Sequence, residues 1–212
     1  MRKKIIIRIV LCIVAAIAIA MGGALYLDKA PSLSAERINE AKSFAKANGF
    51  NLDYCIFVDY SMPSRSKRMM VYDISQDKVV YSCKCAHGNG GGTEATLESF
   101  SNEPNSHKTS LGRYRIGKKR IINSIDGQFD VSMFGIPCYE LHGLDETNSN
   151  AYKRGILLHP SPIMTTLPVA IPPWHSLGCF SIPNSAFNTI SKYIDQSKNP
   201  MLLWAYYDSV SS

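Results

Sequence analysis

The sequence predicts a mainly β domain, a sandwich or barrel-like sheet with a few flanking helices, preceded by an N-terminal transmembrane helix. Three observations predict it. Short β-rich runs recur from Leu52 onward, each bounded by turn residues. Only two segments carry helical periodicity, too few to cover both faces of a large sheet. One uncharged run near the N-terminus is long enough to cross a bilayer.

That run comes first. Arg2, Lys3, Lys4 and Arg8 lead into a stretch from Ile9 to Leu27 without a charged residue, close to the roughly 20 residues a spanning helix needs. Leading positive charge holds that side in the cytoplasm, which gives a single-pass anchor in the inner membrane with the rest exported. A cleaved secretory signal is the alternative, with Ala18-Ile19-Ala20 as its small-residue pattern. Either way the expected location is the cell envelope. Cys12 lies inside the apolar run behind Val10-Leu11, the wrong place for lipid attachment.

Residues 31–50 read as a linker helix. Pro31 and Ser32 close the preceding segment, Ser34 is an N-cap, and Gly49 follows Asn48 as the stop. Ile38, Ala41, Phe44 and Ala45 share one face, which predicts packing on the domain behind it. Residues 51–212 form that domain. Leu52–Tyr60 and Arg68–Ile74 are strands separated by Met62-Pro63-Ser64, and Ser75-Gln76-Asp77 turns into a strand over Lys78–His87. Alternation places Val79, Tyr81, Cys83, Cys85 and His87 on one face of it. A polar loop follows over Gly88–His107, with a strand at Tyr114-Arg115-Ile116 and a buried one over Arg154–His159. A loop with Pro160, Pro162, Pro168, Pro172 and Pro173 then leads to Ser176-Leu177-Gly178-Cys179. Asn184 caps a last helix that turns Phe187, Ile190 and Ile194 inward, and Met201–Tyr207 closes the domain as a strand.

Composition excludes some functions. The chain has 212 residues with 45% hydrophobic and 19% charged, which suits one domain with a real core. Net charge is +6, but Arg2, Lys3, Lys4 and Arg8 supply four of these, leaving +2 for the rest and no basic patch for nucleic acid. Outside the membrane run lie Cys55, Cys83, Cys85, Cys138 and Cys179, an odd number in an oxidising compartment, so at least one thiol is left over. Pairing among Cys55, Cys83, Cys85 and Cys138 stays open.

The chemistry concentrates at His159, ending an apolar strand, and Ser176-x-Gly178-Cys179 beyond the stiff loop. An imidazole that takes the thiol proton makes cysteine a nucleophile. Glycine before it permits close backbone approach, and amides at Gly178 and Cys179 are placed to stabilise an oxyanion. Ser176 bonds within this turn or to substrate. Cys83, Cys85 and His87 invite a metal reading. However, i, i+2, i+4 positions spread over roughly 13 Å of strand, too far for one ion. Gly88-Asn89-Gly90-Gly91-Gly92 lacks the Gly-Lys-Ser/Thr ending of a phosphate loop and reads as a substrate-rim loop.

His159 with Ser176-Leu177-Gly178-Cys179 resembles the active-site signature of the L,D-transpeptidase (YkuD-type) family, closest to its murein L,D-transpeptidase catalytic domain branch. Phe100-Ser101-Asn102, Thr109-Ser110-Leu111-Gly112-Arg113-Tyr114, Gly143-Leu144 and Asn148–His159 match that branch in order, and the likeness runs from about Leu52 to Tyr207. The resemblance implies Cys179 as acylated nucleophile, His159 as general base, and Ser176 and Gly178 as parts of the active-site turn. His87, His175 and Tyr114 are expected as substrate contacts, although a structural His87 fits equally. Leu177 departs from the signature's histidine, and Phe180-Ser181-Ile182-Pro183 lacks the Asn and Arg that often follow the cysteine. The implied partners are peptidoglycan stem peptides, and the implied reaction needs neither metal nor organic cofactor. An L,D-carboxypeptidase and a catalytically silent wall-binding module carry the same motifs. The group that orients His159 is not legible; a backbone carbonyl would serve.

Overall fold

A computed structural model describes residues 10, 12–13, 33–88, 96–123, 135–166 and 176–208. The chain divides into two compact units, Met1–Ala30 and Pro31–Ser212. The expected membrane run, the glycines after Gly88, Pro168, Pro172, Pro173 and His175 lie outside the described residues, Val10, Cys12 and Ile13 of that run excepted. Among the described residues no helix is long and apolar enough to cross a membrane.

Among its described residues the second unit is mainly β with two α-helices. Helix α1 spans Ala35–Ala47; the Ser34 side chain accepts from Arg37 N–H at 3.2 Å, and Glu36 and Lys46 suit the two ends of its dipole. It ends at Asn48, whose side chain donates to the Phe44 carbonyl at 2.9 Å, and Gly49 follows at φ +71°. Its predicted face is the buried one. Ala41 and Ala45, with Ile38 and Phe44 beside them, pack against Phe57, Tyr72, Leu202 and Trp204 of the sheet.

Among the described residues eight strands make one mixed sheet: β1 Tyr54–Asp59, β2 Met69–Asp73, β3 Lys78–Cys83, β4 Gly112–Ile122, β5 Ile136–Gly143, β6 Leu157–Ser161, β7 Phe180–Pro183 and β8 Leu202–Tyr206. Their order is β3-β2-β1-β8-β4-β5-β6-β7. The last strand thus sits mid-sheet, parallel to β1 and antiparallel to β4. β6 and β7 are also parallel. Alternation sorts the faces: Phe57 turns toward α1, while Ile56 and Val58 join the main core with Tyr114, Leu141, Leu158, Phe180 and Leu203. Helix α2, Asn184–Gln196, adds Ala186, Phe187 and Ile190 to that core. Ala86 N–H donates to the Ser181 carbonyl at 2.8 Å, so the segment leaving β3 meets β7, the far end of the sheet order.

Several expectations need correction. β3 stops at Cys83, and Val71 pairs with Tyr81 while Tyr72 pairs with Val79, a bulge at Val80. The extra residue flips the alternation, so Val79 joins the α1 side while Tyr81, Cys83 and Cys85 face the main core. Arg154 and Gly155 lie in a turn, with Gly155 at φ +69°, so β6 is shorter than the apolar run implies. Pro183, with φ fixed near the helical value, occupies the cap position of α2, and Asn184 is its first helical residue. Strands β5 and β7 were not anticipated.

Candidate active site

The parallel pairing of β6 with β7 sets the site. Leu158 is level with Phe180, and His159 with Ser181. Leu158 and Phe180 enter the main core, so His159 and Ser181 project from the opposite face, and Cys179 precedes Ser181 by one strand repeat. The Cys179 thiol donates to the Gly155 carbonyl at 3.6 Å, in the turn that feeds β6. Both Cys179 and His159 are buried, at 4% and 2% exposure. His159 Nδ1 lies 2.9 Å from the Pro160 carbonyl, which only accepts, so this nitrogen carries the proton and the carbonyl fixes the ring. In the neutral ring Nε2 then accepts from Ser181 Oγ at 2.9 Å.

The turn before the cysteine is closed by Ser176. Its hydroxyl donates to the Cys179 carbonyl at 2.6 Å and accepts from Gly178 N–H at 3.0 Å. The Gly178 amide thus donates within the turn. Its glycine has a different reason. At φ +121° an added Cβ would lie 2.6 Å from Ile156 Cδ1 and 2.9 Å from the Lys108 carbonyl. The Gly178 carbonyl accepts from Thr109 Oγ1 at 3.0 Å, and Thr109 Oγ1 accepts from Gly88 N–H at 2.7 Å. Arg154 binds the same loop, donating to the carbonyls of Ser101 and Lys108 and the hydroxyls of Ser106 and Ser110.

The expected substrate contacts fare differently. His175 lies outside the described residues. Tyr114 is fully buried, its hydroxyl donating to the Ser110 carbonyl at 2.7 Å and its ring edge-on to Phe180. His87 is 2% exposed, stands beside Tyr60 and Phe100, and accepts at Nδ1 from the Arg68 guanidinium at 2.8 Å. These contacts are those of core residues, and burial, not the cleft, holds both in place. Among the described residues no three His, Cys, Asp or Glu side chains gather as a metal site. None of Cys55, Cys83, Cys85, Cys138 and Cys179 forms a disulfide. Burial pushes the Cys55 and Cys85 thiols up to about 12, which suits inert core cysteines.

Burial, and then the Arg68 charge, push His87 down to about 3. A histidine neutral when folded contributes stability that is complete above its unfolded value near 6.5 and is lost as pH falls toward 3. Urea unfolding should therefore show about 1.5 kcal/mol less stability at pH 5 than at pH 6.5. In His87→Gln that slope should largely vanish; an unchanged slope would mean that His87 does not titrate differently on unfolding.

Sequence reasoning missed Ser181, Arg154, Thr109 and the Gly155 carbonyl as parts of the site. Ser181 had a readable signal, since it alternates with Cys179.

The family described as L,D-transpeptidase catalytic domain matches residues 29–206. No curated protein matches. Among solved structures, an L,D-transpeptidase from Xylanimonas cellulosilytica is 14% identical, with 77% of this chain and 68% of that one covered at a TM-score of 0.41. A mutant L,D-transpeptidase from Enterococcus faecium is 13% identical over 73% of this chain and 50% of that one, TM-score 0.44. The helical cell shape determining protein Pgp2 from Campylobacter jejuni is 13% identical over 79% and 56%, TM-score 0.44. This chain thus spans about half the length of the last two. With the family match covering most of its length, the chain belongs to the L,D-transpeptidase catalytic domain family.

Proposed function

We propose that this protein is a peptidoglycan L,D-transpeptidase with Cys179 as nucleophile and His159 as base. The observation that carries the reading is the β6–β7 register, which sets His159 level with Ser181, two residues after Cys179 in the chain. The Cys179 sulfur attacks the carbonyl that joins the third residue of a stem peptide to its terminal D-residue. His159 takes the thiol proton and returns it to the leaving amine, the C–N bond breaks, and a thioester remains. An amine of a second stem then gives its proton to His159, attacks the thioester and releases the thiol. No step needs a metal or an organic cofactor. The uncharged run after Arg2, Lys3, Lys4 and Arg8 supports tethering to the inner membrane with the enzyme domain exported.

The test is mass spectrometry of the full chain in detergent, incubated with tetrapeptide-bearing muropeptides. A stem bound to Cys179 with free D-amino acid, followed by cross-linked dimers, supports transpeptidation. Tripeptide without dimers means that water reaches the thioester and the protein is a carboxypeptidase. Folded, reduced protein that gives no adduct and no product is a binding module.

A further inference from the structure

Cys179 presents a physical problem. It is as buried as Cys83, a thiol that burial pushes well above the usual range. A nucleophile in such a place needs a compensating positive charge as well as a base. The turn that accepts the Cys179 thiol at Gly155 carries one in the preceding residue, Arg154. Its Nη2 comes within 3.5 Å of where a Cβ of Gly178 would stand, directly before the cysteine. Four hydrogen bonds fix that guanidinium: Nη1 donates to the Ser101 carbonyl and Ser110 Oγ, both at 2.7 Å, and Nη2 to Ser106 Oγ at 3.0 Å and the Lys108 carbonyl at 2.5 Å. All four acceptors are neutral oxygens. They anchor the charge, and the carboxylate coupled to it, that of Glu103, makes none of these four bonds.

We propose that Arg154 is a positioning residue that holds the Ser101–Ser110 loop against the cysteine turn and, through its fixed charge, favours the thiolate of Cys179. The inference rests on reading Cys179 as the nucleophile. The other titratable groups around the turn are His159 from β6, Tyr114 from β4, and Glu103, His107 and Lys108 from the loop. Tyr114 gives its hydroxyl to the Ser110 carbonyl, and Lys108 gives its ammonium to the Glu98 carbonyl. Electrostatic coupling between Arg154 and Cys179 agrees with this arrangement. A purely mechanical role would depend on the hydrogen bonds alone, whereas an electrostatic one depends on the charge.

The experiment is the pH profile of Cys179 alkylation in the full chain, read by mass spectrometry of the peptide that contains it. Arg154→Gln should raise the midpoint by about one pH unit or more. Arg154→Lys, which keeps the charge, and Ser110→Ala, which removes one anchor and keeps Arg154, should stay within about half a unit of wild type. An unmoved midpoint in Arg154→Gln overturns the proposal, as does a shift of equal size in Ser110→Ala. If Arg154→Gln does not fold, His159→Ala decides. With the imidazole gone, Cys179 should still titrate at least about two units below the value of about 12 held by Cys85; a rise to that value overturns the proposal. An acyl adduct in wild type with an unmoved Arg154→Gln midpoint defeats this inference alone. A shifted midpoint in a protein that forms no adduct defeats the nucleophile reading alone.

Discussion

Cys179→Ala is expected to abolish acylation by stem peptide while leaving the domain folded. Without sulfur there is no thioester, and loss of the nucleophile in a comparable acyl-transfer enzyme costs about 10⁶-fold in rate. The fold should tolerate the change, because alanine keeps the backbone of the turn. Ser176 still donates to the residue 179 carbonyl, and Thr109 still donates to that of Gly178. The lost thiol contact to Gly155 is long, at 3.6 Å, and a stability change of about 1 kcal/mol is a reasonable bound. Cys83→Ala is the matched control. Cys83 lies in the main core at 6% exposure, so its truncation should cost stability by a similar amount and leave acylation intact. Mass spectrometry of the acyl adduct, with circular dichroism on the same samples, separates the two. Equal loss of acylation in both variants, each normally folded, would remove Cys179 from the site.

The contrast between these cysteines shows what was legible in the sequence. Cys179 and His159 could be singled out because residue type and spacing suggest thiol chemistry and the ordered motifs around them resemble a known family. Helix α1 was equally legible, since Ser34, its apolar face and Gly49 are all local signals. β5 and β7 were not. β5 contains Pro137 and the polar pair Glu140 and His142, and its extended form is imposed by pairing with β4 and β6. β7 is four residues ending in proline, and its place beside β6 is a long-range fact. The bulge at Val80 escaped for the same reason, because register belongs to the pair of strands.

The site divides along the same line. Its reactive residues announce themselves, while its supports act across long separations. Thr109 reaches Gly178 from 69 residues away, and Arg154 reaches Ser101 across 53. His87 and Tyr114 drew a substrate role from their place in matched segments, yet their bonds to Arg68 and Ser110 make them part of the frame. No local pattern distinguishes those outcomes.

Arg68→Met should be the most destabilising single change in that frame, by about 3–5 kcal/mol, a large share of the roughly 5–15 kcal/mol that holds a domain together. Arg68 is fully buried. Its Nε donates to the Cys85 carbonyl at 2.7 Å, Nη1 to the Met62 carbonyl at 3.2 Å, and Nη2 to His87 Nδ1 at 2.8 Å, with the guanidinium 4.8 Å from the centre of the Tyr60 ring. Two effects oppose each other. Methionine relieves the cost of keeping a charge out of water, and for some buried ion pairs that relief wins. It wins when the partners are replaced together. Here the partners are two backbone carbonyls and an imidazole that remain, each costing about 1–3 kcal/mol when left unpaired. Arg68→Lys should fall between, because one ammonium cannot follow the planar fork to three acceptors. The consequence reaches the site: Arg68 holds the segment from Cys85 to His87, whose Ala86 N–H bonds the Ser181 carbonyl two residues from Cys179. Urea unfolding at neutral pH reads the stability loss, and the acylation rate measured well below the variant's transition reads the site. A midpoint for Arg68→Met at or above wild type would show that desolvation outweighs the three bonds.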